Sequence, residues 1–210
     1  MHVSILGAGR MGVAVARLCV RAGHQVALAS RRDAQTMPDI AAVTGLAVEA
    51  VDQQDAVLRG DIVVLTIPWR ARSSIVSNTS WFRRKIVLDA MNPYDPYPQV
   101  ADLGGAASSE IVEKELAVAR VVKTLNTMSA WDLARQARPR GAPLRIAVPL
   151  CGNDEGAKSV VARLVDDIGF DPVDIGGLEN GRFYEPLQPL FGRPWTAAQL
   201  SSEFRRCTSA

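Results

Sequence analysis

The stretch Gly7-Ala8-Gly9-Arg10-Met11-Gly12 spaces its glycines as GxGxxG. That pattern is weak on its own. Here it directly follows the apolar run Val3–Leu6 and opens a helical pattern, which makes it the signature of a turn that holds a dinucleotide pyrophosphate. Gly7 permits the tight turn, Gly9 lets the backbone approach the anion, and Gly12 lets helix and strand pack closely. Arg10 and Met11 lie in the same turn. Backbone N–H groups at the helix start face the anion, with the helix dipole behind them. Ser30-Arg31-Arg32 closes the second apolar run. A site for NAD wants Asp or Glu there, to accept from the ribose 2′-OH. Guanidiniums instead form charge-assisted, often bidentate bonds to a 2′-phosphate. Two such contacts at roughly 1.5 kcal/mol each amount to about a hundredfold preference for NADP(H) over NAD(H). Asp33 lies too far along to be the ribose acceptor.

Three loops should face this turn across the cleft at the carboxyl ends of the strands, where open α/β sheets bind their ligands. They are Thr66-Ile67-Pro68-Trp69, Ala90-Met91-Asn92-Pro93 and Asn126-Thr127-Met128. Their content is apolar and amide, with no paired carboxylates, no Ser/His pair and no metal set, so no catalytic acid or base is assigned. Such a wall suits a flat ring and direct hydride transfer, in which two carbons are held close, water is excluded and the cofactor carries the chemistry. Trp69 reads equally as a packing residue at a helix start, and Asn92 equally as a cap of the proline-rich loop. His24, after Gly23, reads as a turn residue, and Cys151 as a small core residue at a strand end.

Short apolar runs must position these loops. Gln25–Ala29, Ile62–Leu65, Ile86–Leu88, Arg120–Leu125, Leu144–Leu150 and Asp171–Ile175 read as strands. Met11, Val15, Leu18, Cys19 and Ala22 repeat at helical spacing and end at Gly23. A second helix starts at Asn153 or Asp154, carries Ala157, Val160, Val161, Leu164, Val165 and Ile168 on one face, and closes at Gly169. Continuously apolar strands alternating with helices predict an α/β fold: a doubly wound parallel sheet covered on both faces. Two stretches are too proline-rich for a central strand or helix interior: Met91–Pro98 and Glu185–Pro194.

The chain has 210 residues, 48% of them apolar, with 24 basic and 22 acidic side chains. The net charge of +2 argues for neither a nucleic-acid nor a membrane surface. Three cysteines, far apart and without a CxxC, make a disulfide framework or a zinc site the wrong expectation. Two histidines leave almost no material for His-based triads. The N-terminus lacks a signal-peptide pattern, and no apolar run has the length of a membrane helix. A cytoplasmic protein is expected.

Val64–Trp69, Val148–Asp154, Asp174–Leu178 and Ser30-Arg31-Arg32 resemble the coenzyme F420-dependent NADP oxidoreductases. Val121–Trp131 is more similar to the NADPH domain of the STEAP-type ferric reductases, a branch of the same superfamily. The resemblance runs to about Leu190. It implies a Rossmann domain over residues 1–128 and a small appended α/β part over 129–210 that completes the acceptor cleft, in a homodimer. It also implies hydride exchange between NADPH and a small flavin-type acceptor: F420 itself, FMN or FAD. Gly7, Gly9, Arg10, Met11 and Gly12 match the pyrophosphate turn, and Ser30, Arg31 and Arg32 the 2′-phosphate site. Thr66, Ile67 and Pro68 match the loop along the nicotinamide half. Met91, Asn92 and Asn126 match positions beside the nicotinamide and the acceptor ring. Asn126 stands where the archaeal F420 enzymes carry histidine, and Met91-Asn92-Pro93 where they have a valine/proline stretch, so NADPH is better supported than F420. The tail beyond Leu190 matches nothing in the family.

Three functions compete. The first is an NADP(H)-dependent oxidoreductase working on a flavin-type acceptor. The second is a β-hydroxyacid dehydrogenase or imine reductase, which needs a long all-helical second domain. The segment after Ser129 instead alternates strand and helix. The third, suggested by the missing acid/base residue, is a non-catalytic NADP(H)-binding sensor or electron-transfer partner.

Overall fold

The inner strands of this chain are apolar on both faces, and the fold uses both. In the computed structural model, which describes residues 1–30 and 47–209, the strands are β1 (His2–Leu6), β2 (Gln25–Ala29), β3 (Val48–Val51), β4 (Ile62–Leu65), β5 (Ile86–Asp89), β6 (Arg120–Lys123), β7 (Ala147–Gly152) and β8 (Asp171–Asp174). They form one sheet in the order β3-β2-β1-β4-β5-β6-β7-β8. The first six are parallel, in the strand order of a doubly wound dinucleotide fold. β7 joins β6 antiparallel, and β8 runs parallel to β7, so the C-terminal strands extend the same sheet.

Successive residues along a strand point to opposite faces. Val3 and Ile5 of β1, Ile62 and Val64 of β4, and Ile86 and Leu88 of β5 pack into one core. Helices α1 (Arg10–Arg21), α5 (Ala130–Gln136) and α6 (Glu155–Asp167) cover that face. Leu6, Val63, Leu65 and Val87 pack into the other core, under α2 (Gln53–Arg59), α3 (Ser73–Val76), α4 (Ser108–Glu115) and α7 (Ala197–Thr208).

The expected helix punctuation is present. Gly23 has φ +82° after α1 and Gly169 has φ +109° after α6, a region that glycine enters without a Cβ penalty. Asp154 caps α6 by accepting from the Ala157 N–H at 2.6 Å.

Two boundaries differ from the sequence expectation. The run Arg120–Leu125 ends as a strand at Lys123, because Leu125 turns left-handed at φ +64°. The strand expected over Leu144–Leu150 runs over Ala147–Gly152. Leu144 is left-handed and exposed, and the buried Arg145 guanidinium lies 2.6 Å from both Asp166 and Asp171. Those carboxylates hold this segment at the end of α6 and the start of β8.

The tail has a place that the family pattern does not supply. The Thr196 hydroxyl accepts from the Gln199 N–H and Gln199 returns to the Thr196 N–H, a capping box that starts α7. Ala147 N donates to Trp195 O at 2.8 Å, which ties the tail to β7.

Candidate nucleotide and hydride-transfer site

β1 delivers the glycine turn to the carboxyl edge of the sheet. Gly7 has φ +119°, and its N–H donates to Ala29 O at 2.8 Å on the neighbouring strand. Thr66, just after β4, donates its hydroxyl to Gly7 O at 2.9 Å, so the loop after β4 clamps the turn. A Cβ on Gly7 would stand 2.7 Å from Thr66 O, and one on Gly12 would stand 1.8 Å from Gly7 O. Both glycines are therefore required by packing. Gly9 differs: φ is −81°, and a Cβ there would meet nothing within 4 Å. Its missing side chain opens onto the cleft rather than onto protein. Helix α1 begins at this point with no side-chain cap and no acidic residue in its first turn. The first N–H groups of a helix have no partner within it, and with the dipole they favour an anion. The open face at Gly9 fits the pyrophosphate of a dinucleotide.

A cleft of about 1050 Å³ runs from this turn along the edge of the sheet. Of the residues singled out in the sequence, Gly7, Gly9, Arg10, Met11, Ser30, Thr66, Ile67, Pro68, Met91 and Asn92 line it. Gly12 lies behind it as a packing contact. Arg31 and Arg32 lie outside the described residues. Trp69 is buried with the Arg72 guanidinium 4.0 Å over its ring, so it packs as well as lining the wall.

The far end of the cleft rests on a buried polar frame. Asp89 ends β5 and Lys123 ends β6, at paired positions of parallel strands, with Nζ 3.1 Å from Oδ2 and both side chains fully buried. Together they hold one peptide unit on each side of Met91. Asp89 Oδ1 accepts from Met91 N at 2.9 Å, and Lys123 Nζ donates to Met91 O at 3.0 Å. The left-handed turn at Leu125 then brings Asn126 to Asn92. Asn126 Nδ2 donates to Asn92 Oδ1 at 3.0 Å and to Tyr184 O at 2.9 Å, while Asn92 Nδ2 donates to Asn126 O at 2.9 Å. Asn92 thus binds a second loop as well as lining the cleft.

Tyr184 donates its hydroxyl to Lys123 O at 2.8 Å, and its oxygen lies 3.0 Å from Cys151 Sγ. Burial pushes the Tyr184 phenol well above its usual range and the Cys151 thiol up to about 12. Both stay protonated at neutral pH, and Cys151 is the small core residue expected. Neither of these two groups is poised for proton transfer.

A second cleft of about 540 Å³ adjoins the first. Asn92, Tyr94 and Tyr97 line both. Asn126 and Met128 line the second, joined by Phe191, Arg193 and Pro194 from the tail. The sequence reading missed Asp89, Lys123, Tyr94, Tyr97 and Tyr184. A charged residue closing each of the apolar runs Ile86–Asp89 and Arg120–Lys123 was the available signal for the first two.

Among the described residues no group of His, Cys, Asp and Glu could hold a metal, and no helix is long and apolar enough to cross a membrane.

The sequence model of the family described as NADP oxidoreductase coenzyme F420-dependent matches residues 2–93. Over that segment the chain resembles this family of NADP-linked oxidoreductases. Similarity to its members continues past the matched segment. The chain is 28% identical to the F420-dependent NADP reductase of Methanothermobacter thermautotrophicus over 206 residues, covering 90% of this chain and 87% of that one. It is 29% identical to the metalloreductase STEAP3 of Rattus norvegicus over 201 residues, 94% of this chain but 38% of that one. The chain thus spans well under half of the metalloreductase and most of the archaeal reductase. A hypothetical protein of Sinorhizobium meliloti has the same fold with a TM-score of 0.82 and 32% identity, over 93% of this chain and 95% of that one. The family resemblance read from Val64–Trp69, Val148–Asp154 and Asp174–Leu178 therefore holds beyond the nucleotide turn.

Proposed function

We propose that this chain transfers hydride between NADPH and coenzyme F420 or another flavin-type acceptor. The observation that carries this reading is the continuity of the site. The glycine turn opens into an apolar cleft whose far end, at Met91 and Asn92, adjoins a second cleft lined by Asn126. Gly7, Gly9 and the start of α1 would hold the pyrophosphate, with Arg31 and Arg32 reading the 2′-phosphate. Thr66, Ile67 and Pro68 would flank the nicotinamide half. When bound, NADPH supplies a hydride and leaves as NADP⁺, while the acceptor takes that hydride and a proton from water. The chain's own part is to align the two rings and exclude water, which hydride transfer rewards and which requires no acid/base side chain. On the family resemblance, the reading extends to a cytoplasmic homodimer.

The test is to mix the purified protein with NADPH and oxidised F420 without oxygen and to follow the deazaflavin absorbance. Catalysed bleaching, much faster with NADPH than with NADH, is expected. Failure to reduce F420, FMN, FAD, quinones and ferric chelates overturns the reading.

A further inference from the structure

Tyr97 is 76% exposed at the rim shared by the two clefts. A ring this exposed contributes little to the core, and its position on the boundary of both clefts puts it within reach of a ligand in either. Its loop does not need the ring for its shape. Tyr94 N donates to Asn92 O at 2.8 Å, Ala101 N to Pro93 O at 2.7 Å, Asp95 N to Gln99 O at 2.9 Å and Gln99 N to Pro96 O at 2.8 Å. Tyr94 also pairs with Val100 as an isolated bridge. Arg70, on the cleft wall after β4, reaches across to Asp95 at 3.1 Å and ties the loop to the opposite side. The Tyr97 ring packs against Tyr94, edge to face, with centroids 5.0 Å apart. An exposed ring on a braced loop loses little conformational freedom when a second ring stacks on it, and that lowers the cost of binding.

We propose that Tyr97 is the stacking platform for the flat ring of the hydride acceptor, which occupies the second cleft. This rests on the proposed function and names the residue that selects a planar acceptor. The cleft suits that occupant. Its volume of about 540 Å³ falls within the range of small-molecule sites. Met128, Ile146, Phe191 and Pro194 give it apolar walls, and Gln136 and Arg193 give it polar edges. Asn92, held by Asn126, lies on the boundary with the NADPH cleft, so a ring stacked at Tyr97 stands next to the nicotinamide end.

The test is an equilibrium titration of F420, FMN and FAD, each followed by its own fluorescence, into protein saturated with NADP⁺, where no turnover occurs. The wild-type protein is expected to bind at least one of them. Tyr97→Phe should hold it within about twofold, and Tyr97→Ala should weaken it about tenfold, the order of one aromatic stacking contact. Thermal stability should stay unchanged in both variants, and NADPH affinity should fall clearly less than acceptor affinity in Tyr97→Ala. If Tyr97→Ala leaves acceptor binding intact in a protein that still reduces the acceptor, the stacking role is wrong and the proposed function survives. Equal loss of NADPH and acceptor would place Tyr97 in the nucleotide site and overturn the inference. If the wild-type protein binds NADP⁺ but none of the three rings, the inference and the proposed acceptor class fall together.

Discussion

Lys123 Nζ lies 3.1 Å from Asp89 Oδ2 with neither side chain reaching solvent, and the pair encloses the backbone of Met91. A buried pair of this kind is a weak source of net stability, but breaking it strands a charge. Lys123→Met should therefore cost roughly 3–5 kcal/mol, by leaving the Asp89 carboxylate unpaired in the core. The double variant Asp89→Asn/Lys123→Met should be more stable than Lys123→Met alone, because Asn can still accept from Met91 N. Urea unfolding checks both. A single variant no worse than the double would show that the pair is not coupled.

Two glycines of one turn should respond differently to the same change. At Gly12 a Cβ would stand 1.8 Å from Gly7 O, so Gly12→Ala must displace α1 from β1. A loss on the order of 3 kcal/mol is expected, in the range of overpacked cores. At Gly9 a Cβ would meet no protein atom within 4 Å, so Gly9→Ala should fold with an unchanged melting temperature. Its methyl would occupy the face assigned to the pyrophosphate, and NADPH affinity should fall by about tenfold or more, the equivalent of one lost charge-assisted hydrogen bond. Thermal melts and NADPH titrations on both variants separate the two roles. Intact NADPH binding in Gly9→Ala would remove the pyrophosphate from this turn.

Arg31 follows the end of β2, where the 2′-phosphate of NADPH would lie. Arg31→Ala should raise the NADPH dissociation constant about tenfold or more and leave NADH nearly unchanged, because only NADPH carries that phosphate. Equal losses for both nucleotides would show that Arg31 does not read it.

The nucleotide turn was legible because its parts are neighbours in sequence. Gly7 to Gly12 form one loop, in which close backbone approach requires glycine at Gly7 and Gly12. The loops after β4, β5 and β6 were legible as well, since a parallel sheet places its carboxyl ends together. The frame beneath them was not. Asp89 meets Lys123 only through the register of two strands 34 residues apart, and Asn126 reaches Tyr184 O across 58 residues. Tyr94 and Tyr97 sat inside a stretch readable only as irregular, since its closing hydrogen bonds carry no side-chain signature. The α7 cap, Thr196 with Gln199, was present in sequence, but its partner strand β7 lies about fifty residues earlier.

The three thiols should separate by burial. Burial pushes Cys19 and Cys151 up to about 12, so neither forms appreciable thiolate near neutral pH, whereas Cys207 is partly exposed on α7. Alkylation reacts with the thiolate. Iodoacetamide on the folded protein at about pH 8 should therefore label Cys207 alone, and all three after denaturation. Peptide mapping by mass spectrometry reads the result. Rapid native labelling of Cys151 would mean that the frame around Tyr184 opens.

His24 follows α1, with Nε2 3.5 Å from Asp167 Oδ2 near the end of α6. Burial, with a smaller contribution from the N-terminal ammonium, lowers its pKa below the ordinary 6.5, and Asp167 only partly opposes this. The folded protein therefore takes up the His24 proton at lower pH than the unfolded chain does. Below about pH 6.5 the unfolded state binds more protons, so stability falls as pH drops until the folded histidine also titrates. Above that pH the residue is neutral in both states and adds no slope. His24→Asn should flatten this part of the profile, so the urea midpoint should drop less between about pH 8 and pH 5.5 than in the wild type. Carboxylates common to both proteins cancel in the difference. A steeper decline in the variant would mean that the Asp167 contact, rather than burial, sets the protonation of His24.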